Sequence, residues 1–92
     1  MEPKDPNRFL EDGFLPRWPR RHADRAELLA LLVERLVAPG VRVTQRELTD
    51  QLRLTVWDPT GVRRALVDGG FLARERDGSA YWRPEEDAAS NA

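Results

Sequence analysis

Apolar residues recur at helical spacing through the first half of the chain. Leucine and valine repeat every three or four residues over 21–37, which predicts an amphipathic helix packed against a core. Leu48 and Leu52 lie four residues apart and predict a second helix over 45–53. A capping box at 44–47 marks its start, because a threonine and a glutamate three residues apart can each accept a hydrogen bond from the other's backbone N–H.

A third, shorter helix opens the second half of the chain. Asp58 is a favourable N-cap residue, and Pro59 fits the first helical position, where its missing N–H costs nothing. Val62 and Leu66 then share the face that should pack on the core. Gly69-Gly70 ends the helix, because glycine readily supplies the positive φ that helix C-termini commonly need.

The pattern after the third helix predicts a β-hairpin with a side-chain period of two. Asp77-Gly78 is a strong two-residue turn signal between strands at 71–76 and 79–83, and it places Ala73 opposite Trp82. One face is mostly apolar and is expected on the core: Phe71, Ala73, Glu75, Ala80 and Trp82. The other face is expected towards solvent or a ligand: Leu72, Arg74, Arg76, Ser79, Tyr81 and Arg83. A slip of one residue in the register would exchange the two faces.

The order of these elements is that of a winged helix. Residues 42–43 supply a short extended segment between the first two helices, as the small first strand of such a fold does. Residues 9–19 are expected to lie as a strap across the domain, because they hold several large apolar side chains: Phe9, Leu10, Phe14, Leu15 and Trp18. We therefore predict one α+β winged-helix domain over 9–83, a disordered N-terminus over 1–8 and an acidic disordered tail over 84–92.

Length and composition narrow the class of protein. Ninety-two residues make one small domain. The chain has no cysteine, which excludes disulfides and thiolate chemistry and favours a reducing cytoplasm. No apolar run approaches the roughly 20 residues that span a bilayer, and the N-terminus lacks the basic-then-apolar order of a signal peptide. The sequence predicts a cytoplasmic protein with no membrane partner.

Charge is distributed unevenly along the chain, although the net charge is only −1. Residues 17–83 hold thirteen arginines against nine acidic residues, so the body is mildly basic between acidic ends. Arginine supplies fourteen of the fifteen basic residues, which suits bidentate contacts to phosphates or bases. Codon bias in an arginine-rich proteome is the alternative explanation.

Catalysis and metal binding have little support in the sequence. His22 is the only histidine, and the only serines are Ser79 and Ser90. No nucleophile has a base at a spacing that the predicted fold would bring together. One histidine without cysteine cannot build a transition-metal site. We therefore expect a protein that is not an enzyme and that needs no cofactor or metal.

Binding of double-stranded DNA is the leading functional hypothesis. The exposed face of the third helix offers a hydroxyl, two guanidinium groups and an apolar side chain. In a helix-turn-helix this face enters the major groove, where arginine binds guanine and an apolar group meets a thymine methyl. Arginines of the wing and of the segment before the first helix would contact the backbone. The candidate residues are Thr60, Arg63, Arg64, Val67, Arg74, Arg76, Arg20 and Arg21.

The same arginines admit a structural explanation, in which they only form intramolecular pairs on a solvated face. The candidate pairs are Arg64 with Asp68, Arg63 with Asp58 or an acidic residue of the second helix, and Arg74 stacked on Tyr81.

A protein-interaction module that binds no nucleic acid is therefore the alternative function. It would present Val67, Leu72 and Tyr81 to a protein partner. The sequence leaves open whether the chain is a monomer or a homodimer, and it predicts only weak DNA binding by the lone domain.

Two stretches of the chain resemble a known family. The patterns GFLxxWPRR and DxxxVRRALVDxGFLxRxxxGxxYW are similar to a bacterial domain-of-unknown-function family of about this size. The resemblance covers about 9–83 and implies a winged-helix fold, which in that family also occurs attached to predicted transcriptional regulators. The residues that carry its most specific part are Asp58, Arg63, Arg64, Leu66, Val67, Asp68, Gly70, Leu72, Arg74, Gly78, Tyr81 and Trp82.

Overall fold

A computed structural model describes residues 6–84 of the chain. Three α-helices are followed by a two-stranded antiparallel hairpin, an α+β layout of the winged-helix type. The elements are a 3₁₀ turn (Pro6–Phe9), α1 (His22–Leu36), α2 (Gln45–Arg53), α3 (Pro59–Asp68), β1 (Ala73–Arg74) and β2 (Tyr81–Trp82). Within the described part of the chain, no helix is both long and apolar enough to cross a membrane.

The predicted helix caps are confirmed atom by atom. The Thr44 hydroxyl accepts a hydrogen bond from the Glu47 N–H at 3.0 Å, and the Glu47 carboxylate accepts one from the Thr44 N–H at 2.8 Å. At the start of α3, the Asp58 carboxylate accepts a hydrogen bond from the Gly61 N–H at 3.1 Å. Gly70, just past the end of α3, has φ of 81°. Local signals of this kind place α2 and α3 where the sequence predicts them.

One apolar core joins the strap, the three helices and the hairpin. The predicted anchors Leu48 and Leu52 of α2 and Val62 and Leu66 of α3 are all buried. The α1 residues of the core are Leu28, Leu29, Leu32 and Val33. The remaining buried apolar residues are Leu15, Val37, Val56, Leu72 and Tyr81.

The strap lies against the turn between α2 and α3. The Leu15 N–H donates to the Thr55 carbonyl at 2.6 Å, and the Trp57 N–H donates to the Leu15 carbonyl at 3.0 Å, which forms a parallel bridge between Leu15 and Val56. Leu15 is consequently completely buried. The strap prediction is confirmed for this residue.

Other apolar residues of the strap divide between core and surface. Phe9, Leu10 and Trp18 are partly buried against the core. Phe14 was also expected to pack on the domain, and there the prediction is wrong, because Phe14 remains exposed. Its neighbour Leu15 takes the inward position, and alternation along an extended segment turns Phe14 outward.

The N-terminal boundary lies earlier than predicted. Residues 6–8, placed in a disordered segment from the sequence, belong to the 3₁₀ turn. Arg8 contacts Asp24 at 3.2 Å and Glu27 at 3.6 Å, so the turn is attached to α1 by ion pairs. Residues 1–5 and 85–92, which complete the two predicted disordered ends, lie outside the described residues.

The hairpin has the predicted register but buries the opposite face. Ala73 pairs with Trp82 and Arg74 with Tyr81, as expected. Leu72 and Tyr81 are buried, whereas Trp82 is only half-buried and lies under the Arg42 guanidinium, 4.0 Å from its ring centre. The prediction that Trp82 would lie in the core is therefore wrong.

The strands are too short for the alternation that supported that prediction. Each strand has two residues, so the alternation predicted over 71–76 and 79–83 was extended to positions that are not in a strand. The connection between the strands is also longer than the predicted two-residue loop. The Gly78 N–H donates to the Glu75 carbonyl at 3.0 Å, so the turn already begins at Glu75. On the other side of β2, Val43 and Tyr81 exchange backbone hydrogen bonds of 2.9 and 2.7 Å, which confirms the predicted short segment as an isolated bridge.

Candidate functional site

A groove opens where α3 faces the hairpin. It encloses about 340 Å³. Four of the predicted nucleic-acid-binding residues lie along it, namely Arg63, Arg64, Val67 and Arg74. Its other lining residues are Gln45, Asp68 and Tyr81. The fold therefore brings together predicted site residues of α3 and of the wing that the sequence places seven to eleven residues apart. We call this space the arginine groove.

Arg63 is held against α2. Its guanidinium donates a hydrogen bond to the Thr49 hydroxyl at 3.1 Å. The sequence offered Asp58 or an acidic residue of α2 as its partner, and neither forms an ion pair with it in the described structure. Arg63 is half-buried, so its charge is presented at a fixed position on the floor of the groove.

Arg64 and Arg74 are exposed. Among residues 6–84, neither has an acidic partner within 4.0 Å. The alternative pairing of Arg64 with Asp68 is therefore not formed. Nor does Arg74 lie over the Tyr81 ring, since the cation–π contacts among residues 6–84 involve other pairs. Both guanidinium groups remain available to an anionic ligand.

Gln45 is a residue of the groove that the sequence did not indicate. Its side-chain oxygen accepts a hydrogen bond from the Tyr81 hydroxyl at 3.1 Å. The same oxygen lies 2.9 Å from the position that a Cβ on Gly78 would occupy. Gly78 also has φ of 76°, a backbone conformation that favours glycine. Gln45 thus fixes the tip of the wing against the start of α2.

Thr60 lies in a second depression, next to the arginine groove. This depression encloses about 730 Å³ between α2, α3 and the wing tip. Arg63 lines both spaces and connects them. Two further arginines line the depression, Arg46 and Arg53, of which Arg53 pairs with Asp50 at 3.6 Å. Arg46 was not among the predicted site residues, because the pattern of α2 indicated only a helix cap and two core-facing leucines.

The last three candidate residues do not line the arginine groove. Arg76 is exposed in the connection between the strands, and Arg20 and Arg21 are exposed immediately before α1. Their neighbour Arg25 has a structural contact, because its Nε donates to the Pro19 carbonyl at 2.8 Å. The groove is therefore lined by residues of α3 and the hairpin together with Gln45 of α2, and these arginines are not part of its lining.

Three carboxylates reduce the positive charge of this surface, and one of them, Asp50, pairs with Arg53 in the depression. Asp68 lines the groove itself. Asp77 lies at the wing tip, where hydrogen bonds from the Ser79 hydroxyl and backbone N–H lower the pKa of its carboxyl. Asp77 is consequently ionised at neutral pH, and it faces the same depression as Thr60.

All residues that line the groove and the depression lie within the match to a protein family. A family model described as "Uncharacterized protein conserved in bacteria (DUF2087)" matches residues 14–83. The chain belongs to the DUF2087 family. No curated protein and no solved structure matches the chain. The DUF2087 match begins in the strap and ends just after β2, so every residue of the arginine groove belongs to it.

The DUF2087 region also contains the chain's only histidine. His22 is exposed at the start of α1. Within residues 6–84, no group of three histidine, cysteine or acidic side chains is placed to hold a metal ion. What the described surface offers chemically is a set of fixed and exposed guanidinium groups next to an apolar side chain.

Proposed function

We propose that this DUF2087 domain is a DNA-binding module in transcriptional regulation. One observation carries the proposal: arginines from α3 and from the hairpin converge on one open groove, and none of them has an ion-pair partner among the described residues. These are Arg63, Arg64 and Arg74. Unpaired arginines on a recognition helix and a wing are what a winged helix needs to bind a duplex.

The roles of the residues follow from their exposure. Arg64 and Val67 of α3 contact base edges in the major groove. Thr60, at the start of the same helix, is a further candidate for such a contact. Arg74 and Arg76 of the wing contact the phosphate backbone of the DNA. Such contacts position the protein on the duplex and do not depend on base sequence. Arg63, bonded to Thr49, adds a fixed positive charge between α2 and α3. Arg20 and Arg21 are further candidates for phosphate contacts.

As a DNA-binding module, the domain has no catalytic role, and it needs no cofactor or metal to hold the arginines in place. A cytoplasmic location follows from the proposed ligand and suits a chain without cysteine.

The test is a titration of a labelled DNA duplex with the protein, followed by fluorescence anisotropy at low and at near-physiological salt. We expect binding at low salt that weakens steeply as salt is added, because released counterions drive phosphate contacts. Replacing Arg64 and Arg76 together by glutamate should abolish binding.

The matched control is Arg17→Ala, which removes an exposed arginine that pairs with Glu11 in the strap at 4.0 Å. This variant should bind as the unmodified protein does. Absence of binding by the unmodified protein at both salt concentrations would contradict the proposal.

A protein-interaction module remains the second candidate. The surface first suggested for it, formed by Val67, Leu72 and Tyr81, does not exist, because Leu72 and Tyr81 are each only 2% exposed. A different observation favours this function: Leu54 is 77% exposed in the turn after α2, and Phe14 and Trp57 are further large apolar residues that remain exposed. If the duplex titration fails, these three side chains are the positions to test next.

A further inference from the structure

A cavity distinct from the arginine groove lies between the strap, α1 and α3. It encloses about 650 Å³, and small-molecule sites typically enclose roughly 300–1,000 Å³. We propose that this cavity binds a small planar aromatic carboxylate. The cavity has the volume of a small-molecule site, an aromatic lining and an excess of cationic side chains.

Small residues line the cavity from two helices. Ala26 belongs to α1, and Gly61 and Ala65 belong to α3. A Cβ at Gly61 would lie 2.2 Å from a carboxylate oxygen of the N-cap Asp58, so a larger residue there would displace the capping carboxylate. Gly61 therefore serves both the cap of α3 and the lining of the cavity.

Two aromatic side chains line the cavity. They are Trp18 and Phe71, and both are partly buried against the core. The Trp18 ring makes an edge-on contact with Trp57, with 5.4 Å between ring centres. The buried Leu29 adds to the apolar lining. A lining of packed aromatic and aliphatic side chains favours a planar aromatic ring.

Charged side chains at the rim select an anion. Arg25 and Arg64 line the cavity against a single carboxylate, Asp68, and His22 adds a further nitrogen donor. The Arg25 guanidinium is fixed, because its Nε donates to the Pro19 carbonyl at 2.8 Å. Arg64 has no acidic partner among the described residues, so its planar guanidinium is free to bind a carboxylate through two hydrogen bonds. The balance of charge favours a ligand with one negative group.

Arg64 also lines the arginine groove, so it belongs to both spaces. A carboxylate bound to Arg64 would withdraw that guanidinium from a duplex. This regulatory consequence rests on the proposed function, whereas binding of the ligand does not.

The test uses 2-naphthoate as the probe, in a titration of the full chain followed by amide chemical shifts. We expect saturable shifts at the cavity wall, centred on Gly61, Ala65 and Gly69. The uncharged analogue 2-naphthalenemethanol should bind at least about tenfold more weakly, because it lacks the charge-assisted hydrogen bonds to arginine. Since no DNA is present, the result is independent of whether the domain binds a duplex.

Variants distinguish this site from other surfaces. Arg64→Ala should weaken 2-naphthoate to the level of the alcohol and leave the alcohol unchanged. Ala26→Leu should weaken both probes, because it fills the cavity from an exposed helical position where leucine is well tolerated. An unchanged melting temperature shows that this variant is folded. Arg17→Ala serves as the control and should bind like the unmodified protein.

Three results would overturn the proposal. These are the absence of saturable shifts at the cavity wall, equal affinity for the acid and the alcohol, and undiminished binding by a folded Ala26→Leu variant.

Discussion

The contacts of Tyr81 explain which face of the hairpin is buried. Its hydroxyl donates to the Gln45 side chain, and its backbone N–H and carbonyl both pair with Val43. The polar groups are therefore satisfied inside the protein, so burial carries no penalty for an unpaired hydroxyl. Gln45 lies 36 residues away in the chain. A local pattern could not reveal that partner, and this is why the face was predicted wrongly although the register was predicted correctly.

Substitutions at Tyr81 and Trp82 give a direct test of the buried face. We expect Tyr81→Ala to lower the free energy of unfolding by about 3–5 kcal/mol, the usual cost of truncating a buried aromatic residue. Trp82→Ala should cost clearly less, because the ring is half exposed and lies under Arg42. Tyr81→Phe should cost about 0.5–1.5 kcal/mol through loss of one hydrogen bond.

Urea denaturation of the three variants measures these differences. A larger loss for Trp82→Ala than for Tyr81→Ala would restore the face originally predicted from the alternation.

Elements differ in how far the sequence determines them. The bounds of α2 and α3 were predictable because their start signals, a capping box and an Asp-Pro pair, act within four residues of chain. The hairpin strands are two residues long and are held by contacts with α2 and with Val43, so their orientation depends on tertiary packing. Periodicity carries information only over a stretch that is long enough to contain a period several times.

The strap shows the same limit at neighbouring positions. Phe14 and Leu15 are both large and apolar, and composition alone could not say which one points inward. Backbone hydrogen bonds to Thr55 and Trp57 settle the alternation by fixing Leu15 in a parallel bridge. The strap as a whole was predictable, whereas its inward residue was not.

A matched pair of substitutions tests this account of the strap. Leu15→Ala should lower the free energy of unfolding by about 2–5 kcal/mol, because it leaves a cavity in a fully buried site. Phe14→Ala should change it by less than about 1 kcal/mol, since the ring lies at the surface. Thermal or urea denaturation of the two variants measures the contrast. Equal losses would mean that the strap packs differently from the structure described here.

At the scale of the whole molecule, the candidate site is assembled from parts that are distant in sequence. The exposed-face argument grouped Arg63, Arg64 and Val67 of α3 with Arg74 of the wing, and all four line the arginine groove. It could not place Thr60 in a separate depression, since that division depends on how the wing tip packs on α2. Nor could it identify Gln45, which enters the site only through the contact with Tyr81.

The net charge of the molecule limits its affinity for a DNA duplex. The chain carries a net charge of −1, so attraction must come from the local arrangement of arginines rather than from the molecule as a whole. Asp68 lies in the same groove and Asp77 at the wing tip, and both oppose phosphate binding nearby. We therefore expect weak binding by the lone domain, in the micromolar range or weaker near physiological salt.

The salt dependence of binding counts the phosphate contacts. If Arg63, Arg74 and Arg76 each neutralise one phosphate while Arg64 contacts base edges, the slope of log affinity against log salt should be roughly −2.7, at about −0.9 for each phosphate contact. Anisotropy titrations over a series of salt concentrations measure this slope. Arg74→Ala should make it shallower by about one contact, and replacing both Arg20 and Arg21 by alanine should leave it unchanged if the interface ends at the wing. A steeper slope that this double variant reduces by about two contacts would instead extend the interface to the start of α1, where both arginines are exposed. A slope near zero would contradict phosphate binding altogether, since neutralising phosphates without releasing counterions is not possible.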